Sequence, residues 1–223
     1  MPDLGPLWLT LKLAAVTTVI LLIVGTPLAV WLAFTRSRAK PAVEAVTALP
    51  LVLPPTVLGF YLLITLSPAS PFGAFWVRVT GESLTFSFTG LVIASVLYSM
   101  PFVVQPLQSA FEQAGAAPME AAATLRAGPL DAFFNVLSPL CKRGYLTATV
   151  LAFAHTVGEF GVVLMVGGNI PGETRVISIA VYESVETLNY REAHVLSLAL
   201  LLFCFAVLLL VYAANRRGAA RVG

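Results

Sequence analysis

The chain has 223 residues, of which 58% are hydrophobic and 11% are charged, with a net charge of +2. A chain this apolar belongs in a bilayer, and its length leaves no room for a separate soluble catalytic domain. No basic stripe interleaved with aromatic residues occurs, so nucleic acid is not an expected partner. The composition therefore predicts an all-α integral membrane protein.

Five apolar stretches are long enough to cross the roughly 30 Å of hydrocarbon, which takes about 20 helical residues. The predicted spans are residues 9–34, 45–66, 86–105, 144–166 and 193–214. They form one transmembrane domain, residues 9–214, which contains a polar segment at residues 112–143 and is followed by a tail at residues 215–223. Two shorter helices are expected between the spans, at residues 72–79 and 175–188.

The loop cations give the orientation of the chain. One set of loops carries nine cations: Arg36, Arg38, Lys40, Arg126, Lys142, Arg143, Arg216, Arg217 and Arg221. The other set carries three: Arg78, Arg175 and Arg191. Cytoplasmic loops are the ones enriched in Lys and Arg, so we expect the N-terminus outside and the C-terminus in the cytosol. The segment at residues 112–143 and the tail are then cytoplasmic.

Residues 118–139 are too ordered for a plain connecting loop, and we call them the elbow. Pro118 suits a first helical position, and Glu120 is favourable near a helix N-terminus. Gly128 and Pro129 end this first helix and begin a second, which Pro139 is expected to end. A helix–Gly-Pro–helix segment at a membrane surface predicts a docking element for a partner protein.

Several helix-breaking and polar residues lie inside the predicted spans. Intramembrane prolines remove helix hydrogen bonds, so kinked helices that line a cavity are expected. Glu159 is the only acid well inside a span, and His155, four residues earlier, is its expected partner on the same helix face. The pair fits either a gate or a structural helix–helix hydrogen bond. The residues assigned to a gate or to helix packing are Pro54, Pro55, His155, Gly158, Glu159, Phe160 and Gly161.

Signatures of enzymes are missing from the sequence. It contains no G-x-x-x-x-G-K-[ST] phosphate loop, no H-E-x-x-H and no C-x-x-C. One His and one Glu without a third ligand do not make a metal site. We therefore expect a chain that is not an enzyme and binds no cofactor or metal, and any nucleotide site lies on another chain.

The elbow resembles the Glu-Ala-Ala loop of bacterial ABC importer permeases. That pattern is E-A-A, three residues, G, nine residues, then I-x-L-P. The matching residues are Glu120, Ala121, Ala122 and Pro139. The departures are Arg126 for the glycine, Val136 for the isoleucine and Ser138 for the leucine.

Three further segments, residues 49–63, 158–161 and 169–175, together resemble the permease subunit of molybdate importers. Sulfate permeases share the Gly-Glu-Phe-Gly element at residues 158–161 but differ in the loop that follows. The resemblance covers residues 10–214, nearly the whole chain. It implies a type I ABC importer permease core in the cytoplasmic (inner) membrane of a bacterium or archaeon.

The same resemblance implies the partners and their contact residues. The permease would pair with a second copy of itself, with two cytosolic ABC ATPase subunits that use ATP and Mg, and with an extracytoplasmic molybdate-binding protein. Residues implied in coupling to the ATPase are Glu120, Ala121, Ala122, Leu125, Gly128, Leu130, Phe133 and Pro139. Residues implied in docking of the binding protein are Asn169, Pro171, Gly172, Glu173, Thr174 and Arg175.

The function predicted from the sequence is ATP-driven import of molybdate, with tungstate as a further substrate of the same geometry and charge. Three alternatives remain open. The first is a sulfate or thiosulfate ABC permease, and the second is an ATP-independent oxyanion channel or secondary transporter. The third is a membrane scaffold that only anchors a soluble partner.

Overall fold

The computed structural model describes the backbone of residues 5–219 and the side chains of residues 5–209. Within that range the chain is all-helical, without a strand, as predicted. The helices are α1 (Gly5–Phe34), α2 (Lys40–Val52), α3 (Pro55–Leu66), α4 (Pro71–Thr80), α5 (Phe88–Ser99), α6 (Pro101–Ala114), α7 (Ala117–Thr124), α8 (Pro129–Ala132), α9 (Ser138–Leu140), α10 (Lys142–Val157), α11 (Gly161–Gly167), α12 (Ile177–Glu186) and α13 (Tyr190–Ala219). A π-helical turn, Phe133–Leu137, joins α8 to α9.

Two of the described helices are by themselves long and apolar enough to cross a membrane. These are α1 and the portion Tyr190–Leu209 of α13. The other three predicted spans are each divided into two helices that meet at a bend. The described residues therefore provide up to five crossings, if each bent pair counts as one span.

The second predicted span is the one most changed by its break. α2 and α3 meet at 113°, so residues 45–66 are not the single kinked helix that the sequence predicted. Two prolines, Pro54 and Pro55, remove two backbone donors at the junction, and an extended backbone at Leu53 and Pro54 turns the chain. α5 and α6 bend by 42° before Pro101, and α10 and α11 bend by 60°.

The core lies around α1, which packs along α5, α6 and α10. Its largest apolar cluster contains Leu32 from α1, Leu107 and Phe111 from α6, and Ala148 from α10. The same cluster includes Leu137, in the π-helical turn of the elbow. The polar segment is therefore packed onto the transmembrane core and does not hang from it as a loop.

The two shorter helices predicted between the spans are confirmed as α4 and α12. α12 is held at its first turn by two hydrogen bonds to other parts of the chain. The Thr10 hydroxyl of α1 accepts from the Ile177 N–H at 2.8 Å, which caps one of the free donors at the start of α12. The Ser178 hydroxyl donates to the backbone carbonyl of Glu159 at 2.6 Å.

The boundary between the last predicted span and the tail differs from the prediction. α13 continues beyond residue 214 as far as Ala219, so residues 215–219 of the predicted tail are helical. The remainder of the predicted tail, residues 220–223, lies outside the described residues.

α3 and α11 pack closely because both carry a glycine at the contact. A Cβ at Gly59 would lie 2.8 Å from the Met165 Cβ and 3.3 Å from the Val162 Cα, and one at Gly161 would lie 2.8 Å from the Pro55 Cβ. Small residues allow this approach between helix backbones in a membrane.

We therefore expect Gly59→Ala to destabilise the protein by about 1–3 kcal/mol, since overpacking forces the two helices apart. Thermal unfolding of the detergent-solubilised protein would measure the change. Gly128→Ala is the matched control, because nothing lies within 4 Å of a Cβ at that position and its φ is negative. Equal melting temperatures for both variants would contradict the close contact.

Candidate functional site

The first half of the elbow ends in a tight helix-capping turn. The Arg126 N–H donates to the Ala123 carbonyl at 3.0 Å, and the Ala127 N–H donates to the Ala122 carbonyl at 3.1 Å. This pair of bonds is the Schellman arrangement, which requires a left-handed residue directly after the cap. Arg126 is that residue, with φ of +65°.

This geometry explains why the importer pattern has a glycine at the position that Arg126 occupies here. The importer pattern places its glycine at this position, where the left-handed backbone favours glycine over any residue with a Cβ. Arginine adopts the same conformation at a cost of about 1–2 kcal/mol. The turn therefore has the geometry that the glycine serves, at the expense of local strain.

The sequence predicted that Pro139 ends the second helix of the elbow, but the helical path continues past it. The helical path runs from Pro129 through the π-helical turn to Leu140, and α10 begins at Lys142. A π-helical turn widens the backbone just before Pro139, which lacks an N–H to bond the preceding turn. The elbow thus runs almost directly into the next membrane helix.

Three large apolar side chains of the elbow face outward. Leu125, Leu130 and Phe134 are 83%, 74% and 64% exposed. Phe133, which the resemblance implied in coupling, is half-buried, and its ring packs on the core with its centroid 6.3 Å from that of Phe111. Phe134 takes the outward position. Exposed apolar residues clustered on one short element mark an interaction surface.

The other residues implied in coupling differ in exposure. Ala122 is the buried residue of α7, and its carbonyl accepts the Ala127 N–H of the turn. The others are exposed: Glu120, Ala121, Gly128 and Pro139.

A second candidate site is a cavity of about 540 Å³ where two helix breaks meet. We call it the break cavity. The α2–α3 break contributes Pro55 and Thr56, and α5 contributes Tyr98. The α10–α11 region contributes Ala154, His155, Gly158, Glu159, Phe160, Gly161, Leu164 and Met165. Pro54, which was grouped with these residues, is exposed as the cap of α3.

His155 and Glu159 both line the break cavity, but the predicted pair between them is not formed. The His155 Nδ1 lies 2.8 Å from the Ser99 Oγ, which in turn lies 3.2 Å from the Thr156 hydroxyl. The His155 ring stacks on Phe102, with centroids 4.0 Å apart. The spacing argument fails because α10 ends at Val157, so Glu159 lies past the end of the helix and not one turn along it.

Glu159 is buried, with a 4% exposed fraction, and neither carboxyl oxygen has a hydrogen-bond partner among the described residues. Thr56, Tyr98 and Ser99 were not predicted as parts of the site. The four-residue spacing of Ser95 and Ser99 was the available signal, since it places two hydroxyls on one face of α5.

The loop at residues 169–175, which the resemblance implied in docking of a binding protein, is only partly exposed. Thr174 is fully buried, and its hydroxyl donates to the Gly167 carbonyl at 2.7 Å and accepts from the Ile170 N–H at 3.1 Å. Thr174 therefore holds the loop from inside and presents no side-chain surface to a partner.

The other docking residues lie at or near the surface. Arg175 is half-buried and is fixed by Asn169 at 2.7 Å and by an ion pair with Glu183 at 3.1 Å. The exposed residues of the predicted docking set are Asn169, Pro171, Gly172 and Glu173.

Comparison with known proteins adds a family and a fold. Residues 25–222 match the family described as "Binding-protein-dependent transport system inner membrane component". The chain is 58% identical to the molybdenum transport system permease protein of Azotobacter vinelandii, over 96% of this chain and 95% of that one. It is 32% identical to a probable sulfate transport system permease protein of Zygnema circumcarinatum, over 91% of this chain and 70% of that one.

Among solved structures, an inward-facing form of the MetNI methionine ABC transporter resembles the chain. The TM-score is 0.72 with 17% sequence identity, over 95% of this chain and 94% of that one. At this identity the likeness establishes the fold, which is that of a type I ABC importer permease.

The left-handed turn at Arg126 gives a direct test. We expect Arg126→Gly to relieve about 1 kcal/mol of strain, partly offset by the extra freedom of glycine in the unfolded chain. Hydrogen exchange at the Arg126 and Ala127 amides would then slow about twofold or more. Arg126→Ala is the matched control, because it removes the same charge and keeps the unfavourable φ. Equal protection in the two variants would show that the backbone conformation is not the cause.

Proposed function

We propose that this chain, which belongs to the family of binding-protein-dependent transport system inner membrane components, is the permease subunit of an ATP-driven molybdate importer. Import would require a separate ATPase, which docks on the elbow in the cytosol. The observation that supports molybdate as the substrate is the 58% identity to a molybdenum permease along 96% of the chain. Tungstate, a dianion of the same shape, is included in the proposed substrate class.

The apolar face of the elbow supports its role as the ATPase contact. The exposed side chains come from the cap of α7 (Leu125), from α8 (Leu130) and from the π-helical turn (Phe134). Burying each such side chain in a groove of a partner is worth roughly 1.5–3 kcal/mol before the costs of association. Glu120 lies exposed in the N-terminal turn of α7, where it would meet a cation of the partner.

Packing behind the elbow supports its role in transmission. Phe133 and Leu137 sit in the same cluster as Phe111 of α6 and Tyr145 of α10. A displacement of the elbow by the ATPase would therefore move α6 and α10 with it, since close-packed interiors transmit strain. Closure of an ATPase dimer would in this way change the side to which the pathway opens.

The family implies a permease dimer, and α2 and α3 offer apolar surface for it. Val46, Val52 and Tyr61 are among the large exposed hydrophobic side chains of these helices. We assign this surface to contact with a second copy and with lipid. On the other side of the membrane, Asn169, Pro171, Gly172, Glu173 and Arg175 of the outer loop would meet the binding protein.

Sulfate transport is the second candidate, favoured by the 32% identity to a probable sulfate permease. The two substrates are both tetrahedral dianions, so the permease chemistry for them is similar. The higher identity to the molybdenum permease favours molybdate.

We expect membrane vesicles that contain the complete transporter to accumulate labelled molybdate in an ATP-dependent way. Unlabelled tungstate should compete, and a tenfold excess of sulfate should reduce uptake by less than about twofold. Vesicles without the ATPase serve as the control. Equal competition by sulfate and molybdate would favour the sulfate reading, and uptake without the ATPase would favour a channel or secondary transporter.

We also expect Glu120→Lys to reduce co-purification of the ATPase by about tenfold. The residue is exposed, so insertion and dimerisation of the permease should be unchanged, and the reversed charge would repel a cation in the ATPase groove. Glu82→Lys, at another exposed glutamate outside the elbow, is the matched control. Recovery of the ATPase with Glu120→Lys at the wild-type yield would count against docking at α7.

A further inference from the structure

Four polar side chains join α2 to α6, the helix that leads into the elbow. Lys40 and Glu44 lie one turn apart on α2, and Gln108 and Glu112 lie one turn apart on α6. The Lys40 Nζ is 3.7 Å from the Glu44 Oε1 and 3.3 Å from the Glu112 Oε1. The Gln108 Nε2 donates to the same two oxygens, at 2.7 Å and 3.0 Å. We call these four side chains the α2–α6 bridge.

The α2–α6 bridge is a closed ring to which each helix contributes one donor and one carboxylate. Two neighbouring carboxylates repel each other, and here both donors contact both of them. The side chains are half-buried or exposed, so each ion pair alone contributes little to the free energy of unfolding. The main effect of the ring is therefore to set the position of α2 on α6.

α2 has few other attachments to the rest of the chain. Thr47 is its buried residue, and Val43 packs partly buried against the core. Val52, at its C-terminal end, is exposed. The extended residues Leu53 and Pro54 follow, and the chain then turns by 113° into α3. The position of α2 therefore depends strongly on the α2–α6 bridge.

On α6, the α2–α6 bridge lies next to the contact with the elbow. Phe111 precedes Glu112 in the chain, and its ring centroid lies 6.3 Å from that of Phe133 in the elbow. α6 ends at Ala114, two residues after Glu112, and α7 begins at Ala117. A movement of the elbow would therefore reach Glu112 both through the packing of Phe111 and along the chain itself, since close-packed side chains transmit strain.

On α2, the α2–α6 bridge lies on the helix that leads to the break cavity. Pro55 and Thr56, the first residues of α3, line that cavity. Leu53 and Pro54 form the short extended junction between the two helices. Junctions of a few residues commonly absorb the dihedral changes when rigid elements rotate. A displacement of α2 would therefore change the α2–α3 angle at the wall of the break cavity.

We propose that the α2–α6 bridge is a coupling contact, through which a movement of the elbow displaces α2 and changes the angle of the α2–α3 break. The inference rests on the proposed function, because it requires an ATPase that moves the elbow. It adds α2 to the helices that the elbow can move, and it gives a role in transport to four side chains outside the elbow and the break cavity.

Charge reversal separates a coupling contact from a brace that only stabilises the fold. Lys40→Glu places three carboxylates together, and adding Glu112→Lys restores one cation between two carboxylates. In the transporter reconstituted with its ATPase and binding protein, we expect Lys40→Glu to lower labelled molybdate uptake per ATP hydrolysed about fivefold. The double variant should return to within about twofold of wild type. Arg38→Glu is the matched control, because Arg38 is in no ion pair among the described side chains.

A neutral variant tests the same contact without changing any charge. Gln108→Met removes the amide that donates to both carboxylates and keeps the length of the side chain. It should lower uptake per ATP hydrolysed by about twofold, with the same amount of ATPase bound, because the elbow is unchanged. Gln113→Met is the matched control on α6, since the Gln113 amide bonds Ser109 of the same helix and not α2.

Hydrogen exchange in the complete transporter follows α2 directly and does not depend on the substrate. In the wild type, a non-hydrolysable ATP analogue should change amide protection in the elbow and in α2 together. In Lys40→Glu the elbow should still respond to the analogue, while the response of α2 is lost. The double variant should show both responses again.

Three results would overturn the inference. Wild-type uptake per ATP in both Lys40→Glu and Gln108→Met would show that transport does not need the α2–α6 bridge. Equal defects in Lys40→Glu and the double variant would show that the pairing of the two residues does not matter. A response of α2 to the ATP analogue that persists in Lys40→Glu would make the α2–α6 bridge a static brace. Failure of the proposed substrate is distinguishable, because the wild-type transporter would then take up no labelled molybdate, whereas the exchange comparison would still test the α2–α6 bridge.

Discussion

The main constraint on this fold is that the backbone N–H and C=O groups at its helix breaks must find partners inside a bilayer. A broken helix exposes N–H and C=O groups that lipid cannot bond, so each break has to be covered by protein or face a water-filled space. Here the α2–α3 and α10–α11 breaks cover each other, with Gly161 set against Pro55. Ser178 reaches in from α12 to bond the Glu159 carbonyl. The break cavity is the space that remains between the two breaks.

The polar groups of the break cavity and the exposed apolar side chains of the elbow lie in separate parts of the molecule. Polar groups that would be costly in lipid are gathered at the breaks, while the apolar anchors Leu125, Leu130 and Phe134 are carried on the elbow. The continuous core of α1, α6 and α10 lies between these two regions. That core is packed with buried residues such as Phe111 and Leu107.

The sequence predicted the parts that depend on local chemistry. Apolar length located the membrane helices, and proline and glycine located the elbow. It could not supply properties that depend on distant neighbours. Pro54 and Pro55 indicate a break between α2 and α3, but not its angle of 113° nor that α3 packs on α11. Ser99 replaces Glu159 as the partner of His155 because α10 ends two residues before the acid. The sequence also could not show which of the adjacent rings Phe133 and Phe134 packs on the core, since this depends on the neighbouring Phe111 and Tyr145.

The first turn of α12 sets which parts of the molecule can move separately. Neighbouring residues bond in opposite directions there, Ile177 to Thr10 of α1 and Ser178 to the carbonyl of Glu159. Two adjacent residues thus fix the separation between the N-terminal part of α1 and the α10–α11 break. Any rearrangement that widens the break cavity must either carry these three segments together as a single rigid body or break one of two short hydrogen bonds. Opening on the opposite wall would have to separate α3 from α11, which the glycines Gly59 and Gly161 hold in close contact.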